Sequence, residues 1–213
     1  MRFIITLSTL LIILVNVAFS APIIDGELVI GDQGQKTISL NNRTSATIIV
    51  PSSASILVNR AAKELQRYLN EIIGVQYPIE DDDSALQKFR IHVGITNYVT
   101  EQQIFPSYLN ECQEAIVIKR DTEGKNLVIC GSNEHGTLLG VYTFLHKLGC
   151  RWPLPDPMWK HIPETYEIKI GFLDEIIKPS FAYRGYHYRG THDLWEWMAF
   201  NRMNYHLQDP PGY

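Results

Sequence analysis

A chain of 213 residues, 45% hydrophobic and 20% charged, has the composition of an ordinary globular protein, which excludes a disordered or collagen-like chain. The net charge is −4 and the lysines and arginines are not grouped, so the row of cations that a nucleic-acid backbone demands is missing. Three cysteines, Cys112, Cys130 and Cys150, lack metal-ligand spacing and, being odd in number, do not make a disulfide scaffold.

Residues 1–20 read as a signal peptide. Arg2 is a short positive head, residues 3–17 are an apolar run, and Ala18-Phe19-Ser20 is a small-x-small cleavage pattern. The mature chain is expected to start near Ala21 and to be secreted, extracellular or lumenal, with no membrane attachment after cleavage. An uncleaved anchor helix is the alternative, but no basic stop-transfer flank follows. Asn42-Arg43-Thr44 is an N-glycosylation acceptor, useful only on such a route.

Short β-like runs follow at 27–30, 36–40 and 46–50, the last closed by Pro51. Leu57, Ala61, Leu65, Tyr68, Leu69 and Ile72 recur at three- and four-residue spacing, which predicts an amphipathic helix over 54–73 stopped by Gly74. Arg60 with Glu64, and Arg67 with Glu71, are spaced to pair across its outer face. A β segment at 77–80 runs into Asp81-Asp82-Asp83. That triplet lacks the alternate ligands and distal Glu of a calcium loop and reads as a solvated loop.

Residues 89–95 predict a strand and 97–105 a short helix. Residues 114–119 and 126–130 predict a hairpin around Asp121-Thr122-Glu123-Gly124. Gly131 to Gly136 has the spacing of a phosphate loop, but Thr137-Leu138 stands where Lys and Ser/Thr are required. The helix predicted over 137–148 is apolar nearly all round, so it must be buried. A last apolar run at 166–170 closes a mixed β-sheet with helices packed on it, an α/β domain over 21–176. The cysteines are expected as buried thiols within it, with one disulfide as the alternative.

Lys178-Pro179 marks a boundary. Residues 181–188 read as an aromatic strand, and Asp193-Leu194-Trp195-Glu196 as a capping box opening a helix with Leu194, Trp197, Met198 and Asn201 on one face. Residues 203–207 form another β run, ended by Asp209-Pro210-Pro211-Gly212. One open β-α-β unit cannot bury its own faces. It must lean on the first domain, pair with something else, or stay poorly ordered.

Three stretches together carry a resemblance: Ala61-Ala62-Lys63-Glu64-Leu65-Gln66-Arg67-Tyr68-Leu69 ending in Ile73-Gly74; Gly136-Thr137-Leu138-Leu139-Gly140-Val141-Tyr142-Thr143-Phe144-Leu145 ending in Leu148-Gly149-Cys150-Arg151-Trp152; and Phe181-Ala182-Tyr183-Arg184-Gly185 followed by Met203-Asn204-Tyr205-His206. In order and spacing they resemble the N-terminal domain of family 20 β-hexosaminidases and family 67 α-glucuronidases, running into the start of the catalytic barrel. The resemblance implies that residues 177–213 are the truncated start of a (β/α)8 barrel, a fold of typically about 250 residues.

It also implies that Arg184 grips sugar hydroxyls, its planar fork of donors suiting vicinal hydroxyls, with the C-terminal end of a barrel strand as the expected place for such a site. An arginine pairing with a neighbouring carboxylate is the structural alternative. His206 and Asp209 match, more loosely, the end of the second strand, where a loop histidine and a turn aspartate are the alternative. The adjacent Asp-Glu pair that this chemistry uses resembles nothing after Phe181. Asp174-Glu175 precedes the barrel start and reads as solvated linker carboxylates. His187, His192 and Asp193 lack a fourth metal ligand, so neither metal nor cofactor is expected. The expected function is therefore an accessory domain of a secreted glycoside hydrolase, inactive by itself, whose partner is an oligosaccharide or polysaccharide. The alternative is a stand-alone secreted carbohydrate-binding module stacking sugars on Trp152, Trp159, Trp195 or Trp197.

Overall fold

The computed structural model describes residues 23–24, 27–34, 36–83, 89–187 and 194–207. The expected signal peptide, His192, Asp193 with its capping box, and Asp209 with the turn that follows lie outside them.

The strands divide between two sheets of the α/β domain rather than one. The larger sheet places β4 (Ala46–Val50), β5 (Ile79–Asp81), β6 (Phe89–Val93), β7 (Ile116–Arg120), β8 (Asn126–Gly131) and β10 (Asp174–Ile177) in the order β10-β7-β8-β6-β4-β5. Its β5, β4, β6 and β8 run parallel, and β7 joins antiparallel to β8 and β10. Every residue of β4 and β8 is buried, as expected of strands covered on both faces. The smaller sheet pairs β2 (Glu27–Ile30) in parallel with β9 (Glu167–Ile170), flanked by β1 (Ile23–Ile24) and β3 (Ile38–Leu40).

Two helices cover one face of the large sheet. Helix α1 (Ile56–Ile73) starts two residues later than its periodicity suggests, because Ser55 caps it by accepting from the Val58 amide at 3.3 Å. It ends as predicted: Gly74 sits at φ 70° and returns its N–H to the Asn70 carbonyl. On its outer face Glu64 pairs with Arg67 at 2.7 Å, not with Arg60. Arg60 instead reaches Glu196, far along the chain, at 3.0 Å.

Helix α3 (Glu134–Lys147) begins three residues earlier than predicted, capped by the Asn133 side chain, which accepts from the Gly136 amide at 2.6 Å. Its ten residues Gly136 through Leu145 are all buried. The glycine loop before it serves packing. A Cβ on Gly131 would fall 2.3 Å from the Gly136 carbonyl carbon, so strand and helix meet backbone to backbone. Thr137 Oγ1 accepts from the Gly131 amide at 3.1 Å, tying the end of the strand to the first turn of the helix.

The other face of the sheet is covered by α2 (Asn97–Glu101) and a 3-10 turn (Ser107–Leu109), which bury Val99 and Leu109 against Val117, Val128 and Cys130. The acidic triplet is a loop, and Asp82 ties it down by accepting from the Ser52 amide at 3.0 Å and the Asn97 amide at 2.8 Å. All three cysteines are free; Cys130 and Cys150 are buried, and burial pushes both thiols up to about 12.

Asp174 and Glu175 are at the surface, as expected, but not in a linker. They form edge strand β10 and pair with Lys119 at 3.0 Å and Lys147 at 2.7 Å. Their acidity hid a strand, because charge is what an exposed sheet edge carries. The tail is one parallel β-α-β unit: β11 (Gly185–His187), α4 (Leu194–Phe200) and β12 (Tyr205–Leu207). The expected strand over 181–188 is shorter in the structure, leaving Phe181 and Tyr183 exposed outside it.

The unit leans on the first domain, the first of the three fates open to it. Leu194 and Met198 are buried, and Phe200 stacks on Trp152 with ring centroids 4.9 Å apart. Trp152 donates to the Tyr68 hydroxyl at 3.2 Å, and its carbonyl accepts from Trp197 at 2.8 Å and Asn201 at 2.9 Å. It therefore joins α1, α3 and α4.

Because no side chain fits at the strand-to-helix crossing, Gly131→Ala is expected to destabilise the protein by at least about 2 kcal/mol, read as a lower urea midpoint. An unchanged midpoint would show that the backbones separate at little cost.

Candidate functional site

A dense polar arrangement sits where the β-α-β unit meets the α/β domain. Its centre is Glu114, which precedes β7 and has the left-handed φ of 59° that a non-glycine residue rarely adopts. Gly136 makes this possible, since a Cβ there would stand 3.0 Å from the Glu114 Cα. The Glu114 side chain, only 9% exposed, receives three donors. Arg184 Nη2 and Asn204 Nδ2 donate to Oε2, the latter at 2.8 Å, and His135 Nδ1 donates to Oε1 at 2.7 Å.

Arg184 is held at each of its three guanidinium nitrogens. Its Nε donates to the Arg202 carbonyl at 3.0 Å and its Nη1 to the Phe181 carbonyl at 2.7 Å. Its backbone amide donates to Asn204 Oδ1 at 2.8 Å. Burial raises the pKa of a carboxyl, yet here hydrogen bonds from Arg184, Asn204 and His135 outweigh it and hold Glu114 below the usual carboxylate range.

Of the residues expected to touch sugar, Arg184 stands one position before β11. That is the opposite end of the strand from where barrel sites form. His206 lies one strand over, its backbone registered with Tyr186, and Asp209 lies outside the described residues. The structure therefore brings Arg184 to Glu114, a residue that sequence reasoning passed over. Glu114 heads an apolar run and reads as the first residue of a strand; only its partner, 70 positions away, identifies it. Beside the pair opens a cavity of about 560 Å³ whose lining includes Phe181, Tyr183, Arg184 and Arg202. Asn42 is exposed, in a tight turn where the Arg43 amide donates to Asn41 Oδ1 at 2.9 Å.

A second polar cluster has the residue types of a nucleophile relay but no access. Thr96 donates to His92 Nδ1 at 3.0 Å, His92 Nε2 donates to Asn126 Oδ1 at 3.1 Å, and Asn126 donates to Asp121 Oδ2 at 2.5 Å. Thr96 and His92 are buried, and Tyr98 stacks on the imidazole at 4.7 Å. Burial lowers the His92 pKa to about 4, so the ring is neutral and serves to link β6, β8 and α2. Of the tryptophans, Trp152 is packed, whereas Trp159 and Trp195 are about half exposed.

Residues 33–144 match the family model described as the glycosyl hydrolase family 67 N-terminus. No curated protein matches the chain. Among solved structures, the chain is similar to a family GH115 4-O-methyl-alpha-glucuronidase with specificity for decorated arabinogalactans, at 17% identity and a TM-score of 0.59, covering 80% of this chain and 25% of that one. It is also similar to CpGH84D, at 14% identity and a TM-score of 0.51, covering 82% and 29%. A chitobiase of Flavobacterium johnsoniae aligns at 14% identity and a TM-score of 0.41, covering 72% and 20%. At such identities the likeness is one of fold, and the chain spans less than a third of each of these proteins.

Glu114→Ala leaves Arg184 without its counter-ion, and the expected loss is about 2–3 kcal/mol, below the fully buried limit because Arg184 is partly exposed. Hydrogen exchange should quicken at Gly185–His187 and Tyr205–Leu207 and stay unchanged in β4 and β6; uniform quickening would contradict a local joint. His92 predicts an acid dependence. Its folded pKa is depressed, so its contribution is complete above about pH 6.5 and is lost as pH falls toward 4, amounting to about 3 kcal/mol. Urea midpoints measured across that window should fall more steeply in the parent than in His92→Gln.

Proposed function

Because this chain belongs to the family of glycosyl hydrolase family 67 N-termini, we propose that it is the accessory α/β unit of a glycoside hydrolase and that its work is to seat the start of a catalytic barrel. The observation that carries this reading is the Arg184–Glu114 pair. Three of the guanidinium's nitrogens are engaged, and they tie the segment before β11, the turn before β12 and the α/β domain to one carboxylate. A β-α-β unit with unsatisfied faces needs such an anchor, and Trp152 supplies its apolar counterpart.

In this reading residues 21–176 are the accessory domain and residues 177–213 the barrel start. Glycoside cleavage requires a proton donor and a second carboxylate placed across the anomeric carbon. Glu114 is ill suited to either role: three donors hold it ionised, which denies it the part of proton donor, and they occupy both its oxygens, which denies it the part of the second carboxylate. The unit alone is then inactive. Arg184 has five N–H donors and the joint engages three through its side chain, so two stay available to sugar hydroxyls at the adjoining cavity, with the exposed rings of Phe181 and Tyr183 beside it. By resemblance alone, His206 and Asp209 are also proposed to touch sugar. Secretion and glycosylation at Asn42 complete the proposal, supported by the leader-like residues 1–20 and the exposed turn.

Purified protein is expected to show no turnover of fluorogenic hexosaminides or glucuronides; measurable turnover would overturn the accessory reading. Arg184→Met should open the 178–184 segment to limited proteolysis without unfolding α1 or α3. Made in a eukaryotic secretory host, the protein should shift in mass on treatment with an N-glycanase, and Asn42→Gln should abolish the shift.

A further inference from the structure

A second cavity, sharing no lining residue with the one beside Arg184, opens where α4 and the loop after Trp152 meet α1. Its volume is about 280 Å³, close to the lower end of ligand clefts at about 300 Å³, which suits one ring rather than an extended chain. Part of the lining is aromatic, with Trp197 and Phe200 partly exposed alongside the buried Trp152 and Tyr68. The exposed loop residue Leu154 adds apolar wall.

The charged part of the lining is balanced. Arg67 and Lys160 bring two cations, Asp156 and Glu196 two carboxylates. Each keeps hydrogen-bonding capacity beyond its contacts within the protein. Asp156 Oδ1 accepts from the Met158 amide at 2.8 Å, which leaves Oδ2. Glu196 Oε1 accepts from Arg60 at 3.0 Å, which leaves Oε2. Lys160 gives one of its three N–H groups to Glu71 at 3.0 Å, and Arg67 donates to Glu64 through Nη2 at 2.7 Å, which leaves Nε.

The walls are set before a ligand arrives. Asp156 caps the 3-10 turn Pro157–Trp159, and the Arg151 and His161 backbones bridge the base of the loop at 2.9 and 2.8 Å. Lys160 ties the loop to α1, and Trp197 is fixed by its bond to the Trp152 carbonyl at 2.8 Å. A site held in this way has little ordering left to do on binding.

The chemistry selects one class of ligand. An anion meets Asp156 and Glu196, a cation meets Arg67 and Lys160, and a wholly apolar molecule strips water from all four without replacing its hydrogen bonds. A neutral pyranose suits both parts of the lining: its hydroxyls donate to carboxylates and accept from cations, and its C–H faces cover aromatic rings. From the balanced charges and the aromatic wall, we infer that this cavity binds a single neutral sugar residue, as a glycan site separate from Arg184. Its role, holding the accessory unit on the polysaccharide that the enzyme degrades, rests on the reading given under the proposed function.

The test is a titration of the purified, isotopically labelled full chain with the methyl glycosides of glucose, galactose, xylose and N-acetylglucosamine, followed by amide and indole NMR shifts. Saturable shifts are expected at the Trp197 indole N–H and at the amides of Leu154, Asp156 and Lys160. Lys160→Ala and Glu196→Ala, both on exposed side chains, are each expected to weaken the affinity about tenfold, the loss of one charge-assisted hydrogen bond. No saturable shift with any of the four glycosides overturns the proposal, as does an affinity unchanged in both variants. Shifts confined to residues 181–185 place the sugar at the Arg184 cavity and also overturn it. Mapping on the parent decides the question even if a variant fails to fold. Turnover of glycosides by the chain would sink the accessory reading and leave these shifts in place, so the two failures are distinguishable.

Discussion

Helix α3 has no polar face, and the rest of the architecture answers that constraint. With Gly136 through Leu145 all buried, it needs cover on every side. The large sheet lies beneath it through β7 and β8, α1 lies alongside, and α4 closes the remaining side. Glycines set the distances. Gly131 and Gly136 bring strand and helix into backbone contact, and a Cβ on Gly140 would stand 3.1 Å from Ile116. Docking of the β-α-β unit therefore completes the burial of this helix.

Two chemistries hold that junction, and they differ in what they specify. The aromatic cluster around Trp152 buries area and tolerates small adjustments, since edge-to-face and stacked pairs are each worth little individually. The Glu114 cluster is directional. One carboxylate, set at a left-handed backbone angle, receives donors from three separate segments and so fixes where β11 and β12 begin. Arg184 and Arg120 make the contrast plain. The first is partly exposed and held at each guanidinium nitrogen, the second fully buried and unanswered within the protein.

Much of the fold was legible from local pattern. The face of α1, its stop at Gly74, the hairpin around 121–124 and the all-apolar helix α3 follow from periodicity and turn chemistry, which depend on neighbouring residues only. Boundaries moved where a side chain capped a helix, as Ser55 and Asn133 do. The division into two sheets was not legible, because β2 pairs with β9 across nearly the whole domain. Nor was β10, where the acidity of an edge strand imitates a loop. Arg184 was found through its motif, but the Glu114 that holds it was not, since an acid at the head of an apolar run carries no local mark.

By itself the sequence determined the element types, the α/β class and the need for the tail to find cover. These rest on interactions a few residues long, which composition and spacing encode directly. Only the tertiary structure decided which strands share a sheet, which carboxylate meets Arg184 and which arginine is left unpaired. Those outcomes depend on pairings between distant segments, where burial and counter-charge are properties of the assembled core and of no stretch within it.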